Sequence, residues 1–98
     1  MSGTVPDVGG GRLREPLPMP SFLLHHLHAP GECRAAFAAW KGFDSPLRHG
    51  LAPSTCLAGG HAVWWRVEAP NPQAALALLP PYVAHRTAAI AVRDVLIP

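Results

Sequence analysis

From Met19 onward, prolines and glycines cut the chain into short pieces whose hydrophobic spacing reads strand, helix, strand, strand, helix, strand. With 12 prolines and 9 glycines in 98 residues, no long helix is possible, and no repeat appears beyond that coarse doubling. A chain of this size fits one small domain.

Each piece has its own pattern. Phe22 to Ala29 alternates and stops at Pro30-Gly31, which predicts a strand with two faces. Phe22, Leu24, His26 and His28 share one face; Leu23, His25, Leu27 and Ala29 share the other. Glu32 to Lys41 has helical spacing, with Cys33, Ala36, Phe37 and Trp40 on one stripe expected to be buried. Gly42 supplies its stop. Phe43 to Ser54 is a long connection that carries Asp44, Arg48 and His49, with Ser45-Pro46 able to start a single turn. Thr55 to Ala58 and His61 to Glu68 read as a hairpin around Gly59-Gly60, with Cys56 opposite Val63. Asn71-Pro72 starts a second helix that ends or kinks at Pro80-Pro81, with a further turn over Tyr82 to Arg86. Ala88 to Ile97 is the last strand.

This order fits the split β-α-β, or ferredoxin-like, plan of the α+β class: four antiparallel strands with two helices on one face, spanning residues 19–98. Residues 1–18 contain Gly9-Gly10-Gly11 and few large apolar groups, and they read as a disordered tail. Met19 is then an alternative start. Trp64 and the second faces of the strands would be wet in a monomer, so a homodimer through the open sheet face is expected.

Composition narrows the function. Hydrophobic residues make up 49% and charged ones 14%, and the net charge of +2 comes from scattered basic residues. No basic stripe points to nucleic acid. No apolar run approaches the roughly 20 residues that cross a bilayer, and no signal peptide is apparent. Two cysteines make no disulfide scaffold, so a soluble cytoplasmic protein with free thiols is expected.

The chemistry-bearing pattern is His26-x-His28. Residues i and i+2 of a strand share a face, so two imidazoles can converge on one ion. Imidazole suits a divalent transition metal such as nickel or zinc. His61 and Cys56, on the neighbouring hairpin, are the candidates to complete the set. Cys33, on the helix stripe, reads instead as a small buried hydrophobe.

Two other readings stay open. His26 or His28 can serve as a general acid or base, since imidazole titrates near neutrality. No GxSxG, P-loop or Rossmann pattern accompanies them. Trp40, Trp64, Trp65 and Tyr82 can line an apolar ligand pocket, or simply fill core and interface.

Three short stretches carry a resemblance. They are Met19-Pro20-x-Phe22 leading to His26, then Glu68-Ala69-Pro70 with Ala74 in the second helix, and the ending Val92-Arg93-Asp94-Val95. Through them residues 19–98 resemble the small ferredoxin-like, dimeric α/β-barrel proteins of bacteria, and within these a family of short proteins with a nickel-binding member. The resemblance implies a dimer and, for His26, a ligand role. That family carries histidines in and after the second helix; here those positions hold Leu79 and Pro80-Pro81, with only His85 nearby.

The sequence therefore predicts a homodimeric binding protein holding a metal ion or small ligand beside His26 and His28. The competing reading is a cofactor-free dimeric-barrel enzyme, an isomerase or oxygenase with a strand-one histidine as acid or base. A third is a structural or partner-binding dimer.

Overall fold

A computed structural model describes residues 19–98; the tail expected over residues 1–18 lies outside the described residues. Three strands form one antiparallel sheet: β1 (Ser21–Leu27), β2 (Ala62–Glu68) and β3 (Thr87–Val92), in the order β2-β1-β3. The helices are short: α1 (Cys33–Ala38), α2 (Pro72–Leu76) and α3 (Pro81–Ala84).

β1 is the centre because its alternation buries one face. Phe22, Leu24 and His26 are buried, and their cross-strand partners lie on the same face. These pairs are Phe22 with Val67 and Ala91, Leu24 with Trp65 and Ala89, and His26 with Val63 and Thr87. Phe22, Leu24, Val67, Ala69, Ala75, Leu79 and Val83 make the core, flanked by Trp40, Leu47 and Trp65. Burying a Phe or Leu side chain of this kind contributes about 1.5–3 kcal/mol. On the other face Trp64 stacks flat on His25, with ring centroids 5.0 Å apart and planes 4° off parallel.

The expected four-stranded ferredoxin-like sheet does not form. Thr55 to Ala58 was predicted as an edge strand; instead Cys56–Ala58 is a 3-10 turn, and the only bridge beside it pairs Ser54 with Val63. Local hydrogen bonds win over the ladder. The Cys56 N–H donates to Ser54 Oγ at 3.0 Å, and the Ala58 N–H to the Thr55 carbonyl at 2.9 Å. Pro53 has no N–H and joins only as an acceptor, from the Trp64 N–H at 2.9 Å. Glycine is needed at the reversal. Gly59 has φ of +90°, and a Cβ on Gly60 would collide with the Thr55 side chain. The predicted pairing of Cys56 with Val63 is therefore absent.

The helices also differ from expectation. The first is one 3-10 turn (Pro30–Glu32) followed by α1, shorter than the predicted Glu32 to Lys41. On its stripe Ala36 is buried and Cys33 and Trp40 are half-buried, but Phe37 is 57% exposed. The second helix begins as predicted: Asn71 Oδ1 accepts from the Ala74 N–H at 2.7 Å, and Pro72 follows. Pro80-Pro81 breaks it into α2 and α3. The last strand ends at Val92, and Val95, Leu96 and Ile97 are exposed.

The long connection is fastened rather than loose. Ser45 Oγ donates to the Leu78 carbonyl at 2.7 Å and accepts from the Leu47 N–H at 3.2 Å. Among the described residues no helix is long and apolar enough to cross a membrane.

Candidate metal centre

The ends of β1 and β2 bring two histidines together. Leu27 pairs with Ala62, so the next residue on one strand and the preceding one on the other are His28 and His61. The His28 N–H donates to the His61 carbonyl at 3.1 Å, and the two ring centroids are 5.5 Å apart. Ala29-Pro30-Gly31 then turns the chain back, and α1 starts at Cys33 over the same strand ends.

An ion pair holds that turn in place. The Glu32 carboxylate accepts from the Ala29 N–H at 2.9 Å and from Arg86 Nη2 at 2.9 Å. Arg86 in turn donates to the Tyr82 carbonyl and lies over the Tyr82 ring, 3.8 Å from its centroid. The Arg86 hydrogen bond, helped by the Ala29 N–H, pulls the Glu32 carboxyl down to about 2, and the same bond raises the Arg86 guanidinium.

The result is a compact donor set. His28 Nε2 is 3.2 Å from Cys33 Sγ, and Cys33 Sγ is 3.1 Å from His61 Nδ1. One ligand atom from each of His28, Cys33 and His61 lies within 4.8 Å of the others. His28 is buried; Cys33 and His61 are half-buried.

Behind this set sits His26, and its bonds fix the proton positions. Val83 O can only accept, and it takes a bond from the Thr87 hydroxyl at 2.7 Å and one from His26 Nδ1 at 3.3 Å. His26 Nδ1, also 3.1 Å from Thr87 Oγ1, therefore carries the hydrogen. Burial, the largest influence, lowers the pKa of His26 against the opposing pull of the Val83 carbonyl and so favours the neutral ring, with Nε2 as its acceptor. His28 Nδ1, 2.9 Å away, must donate to it. The other ring nitrogen of His28, Nε2, then faces Cys33. An imidazole oriented through its far nitrogen is the usual support behind a metal ligand.

Of the four ligands predicted from sequence, the structure brings His28 and His61 together. It places His26 one hydrogen bond behind them. Cys56 opens the 3-10 turn, half-exposed and outside the group. Cys33 takes its place, a residue sequence reasoning assigned to packing. The legible hint was its spacing: five residues after His28, across a Pro-Gly turn that must fold the helix start over the strand end.

Two imidazoles and a thiol form a nitrogen–sulfur set, which suits zinc or nickel and not magnesium or calcium. Tetrahedral zinc, with bonds of about 2.0 Å to nitrogen and 2.3 Å to sulfur, sets N···S edges of about 3.5 Å. The two observed N···S separations, 3.2 and 3.1 Å, are slightly shorter than that. No family model, curated protein or solved structure matches the chain in comparison with known proteins.

Proposed function

We propose that the protein binds a transition metal ion, with zinc the best fit, through His28 Nε2, His61 and Cys33 Sγ. The observation that carries this reading is the meeting of three donor atoms: Cys33 Sγ lies 3.2 Å from His28 Nε2 and 3.1 Å from His61 Nδ1, with His26 against the far nitrogen of His28 at 2.9 Å. Without an ion, the Cys33 S–H satisfies one imidazole; with an ion, the thiolate and both imidazoles turn to the metal and the thiol proton leaves. Among the described residues the group has three members, so the fourth position falls to water or an exogenous ligand.

Nickel remains the second candidate, because the donor set alone does not separate it from zinc. An enzyme using His26 as its acid or base is less well supported. Both ring nitrogens of His26 are held inside the protein, which leaves none to reach a substrate. We further propose that a second copy covers the sheet face bearing Leu23, His25, Trp64 and Ile90. Ile90 is 45% exposed there, and the buried strand residues of the core cluster, Phe22, Leu24 and Val67, lie on the opposite face.

The test is elemental analysis of tag-free protein after zinc loading and gel filtration. One zinc per chain is expected, with loss in Cys33→Ala and His28→Ala and retention in Cys56→Ala. Substoichiometric zinc in the native sequence, or equal retention in all variants, contradicts the proposal.

A further inference from the structure

A groove of about 450 Å³ opens on the helix side of the sheet, and Cys33 is not among its lining residues. Its floor is Val63 and Trp65 of β2 together with Trp40 and Phe37; its outer wall is the segment from Leu47 to Ala52. That wall is held by Ser45 on the Leu78 carbonyl, and it turns at His49, whose φ of +68° is a left-handed conformation uncommon outside glycine. The volume falls in the range of small-molecule sites.

The lining has one sign of charge. Lys41 and Arg48 supply it, His49 adds an imidazole, and no aspartate or glutamate lines the groove. Among the described residues the ion pairs are Arg66 with Asp94 and Arg86 with Glu32, so neither Lys41 nor Arg48 is neutralised by a described carboxylate. The floor is aromatic. Trp40 and Trp65 meet at 5.8 Å between centroids with planes 46° apart, a cleft rather than a flat stack. Both tryptophans are half-buried, so each keeps surface to offer.

We propose that this groove binds a planar aromatic carboxylate: the ring system lies against Trp40, Trp65 and Phe37, and the carboxylate meets Arg48 with Lys41 nearby. Arginine matches a carboxylate with two parallel N–H donors, and aromatic faces reward a flat apolar body. A neutral aromatic fills the same floor but leaves the cations in water. An aliphatic carboxylate satisfies the cations but not the floor. The inference is independent of the metal reading, because no proposed ligand lines the groove. The two are neighbours nonetheless. A second, smaller cavity of about 20 Å³ shares Phe37, Trp40, Val63 and Trp65 with the groove and has His26 and His28 on its far wall.

The experiment is titration of the full chain with 2-naphthoate, read by tryptophan fluorescence and by calorimetry, beside 2-naphthamide and hexanoate. Saturable one-to-one binding of 2-naphthoate is expected, at least about tenfold tighter than either control. Arg48→Gln should weaken 2-naphthoate by about tenfold and leave 2-naphthamide unchanged. Lys41→Gln should weaken it less. Arg48 lies in a loop, and an unchanged thermal midpoint shows that the variant is folded. Repeating the titration in Cys33→Ala separates the two sites: unchanged binding is expected there. Absence of saturable binding, equal affinity for acid and amide, or indifference to Arg48→Gln overturns the proposal.

Discussion

His26 Nε2 lies 2.9 Å from His28 Nδ1, and because His26 is ordered from behind by the Val83 carbonyl, this contact decides which nitrogen His28 presents to Cys33. A residue that touches no ion in the proposed site thus sets the chemistry of one that does.

His26 should act as a positioning residue. His26→Ala is expected to lower zinc affinity about 10–100-fold without removing binding. His26→Gln, which can keep an acceptor toward His28 Nδ1, should recover part of the loss. Competition against a chromophoric chelator measures both; equal affinity in all three proteins would detach His26 from the site.

Cys33 and Cys56 should differ in reactivity. Neither is in a disulfide. Zinc should protect Cys33 from alkylation by iodoacetamide and leave Cys56 as reactive as before. Peptide mass spectrometry after timed alkylation reads the two sites separately.

The Glu32–Arg86 pair should make stability pH-dependent in acid. The Glu32 carboxyl is depressed to about 2 in the folded protein, below its ordinary value near 4.5. The unfolded chain therefore takes up the proton first as pH falls. The stabilising contribution is full above about pH 4.5 and is lost as pH drops through the folded value. Glu32→Gln should be less stable at pH 7 and show a flatter decline over that interval. Denaturant midpoints at several pH values check it; parallel curves for the two proteins would contradict the assignment.

Leu24 is fully buried at the centre of β1. Leu24→Ala is expected to cost about 2–5 kcal/mol in urea unfolding, by lost burial and the cavity left behind. A change under 1 kcal/mol would mean that this strand is not the core.

Much of the frame was legible in the residues. The alternation divided the first strand into two faces without saying which is buried, and the structure buries the one with Phe22, Leu24 and His26; Asn71-Pro72 marked a helix start to the residue. What failed was the strand at Thr55. The Gly59-Gly60 dipeptide suits a hairpin, but Ser54 Oγ accepts from the Cys56 N–H and the Thr55 carbonyl from the Ala58 N–H, and these local bonds curl the segment. The error carried into the site. A flat hairpin would have set Cys56 in the sheet opposite Val63; the curled turn leaves it outside the group. Cys33 was hidden for another reason. Its helical spacing with Ala36 and Trp40 imitates packing, while its position over His28 depends on how Pro30-Gly31 and the Glu32–Arg86 pair aim the helix. That aim is a tertiary property, which the five-residue spacing from His28 hints at but does not fix.

The most direct measurement of the central claim is the absorption spectrum of the cobalt(II)-loaded protein. Cobalt occupies zinc sites and reports a sulfur ligand through a thiolate-to-metal charge-transfer band. The account predicts that band in the native sequence and in Cys56→Ala, its absence in Cys33→Ala, and its loss or marked weakening in His28→Ala and His61→Ala. A spectrum without the band, or one that disappears in Cys56→Ala and survives in Cys33→Ala, would contradict it.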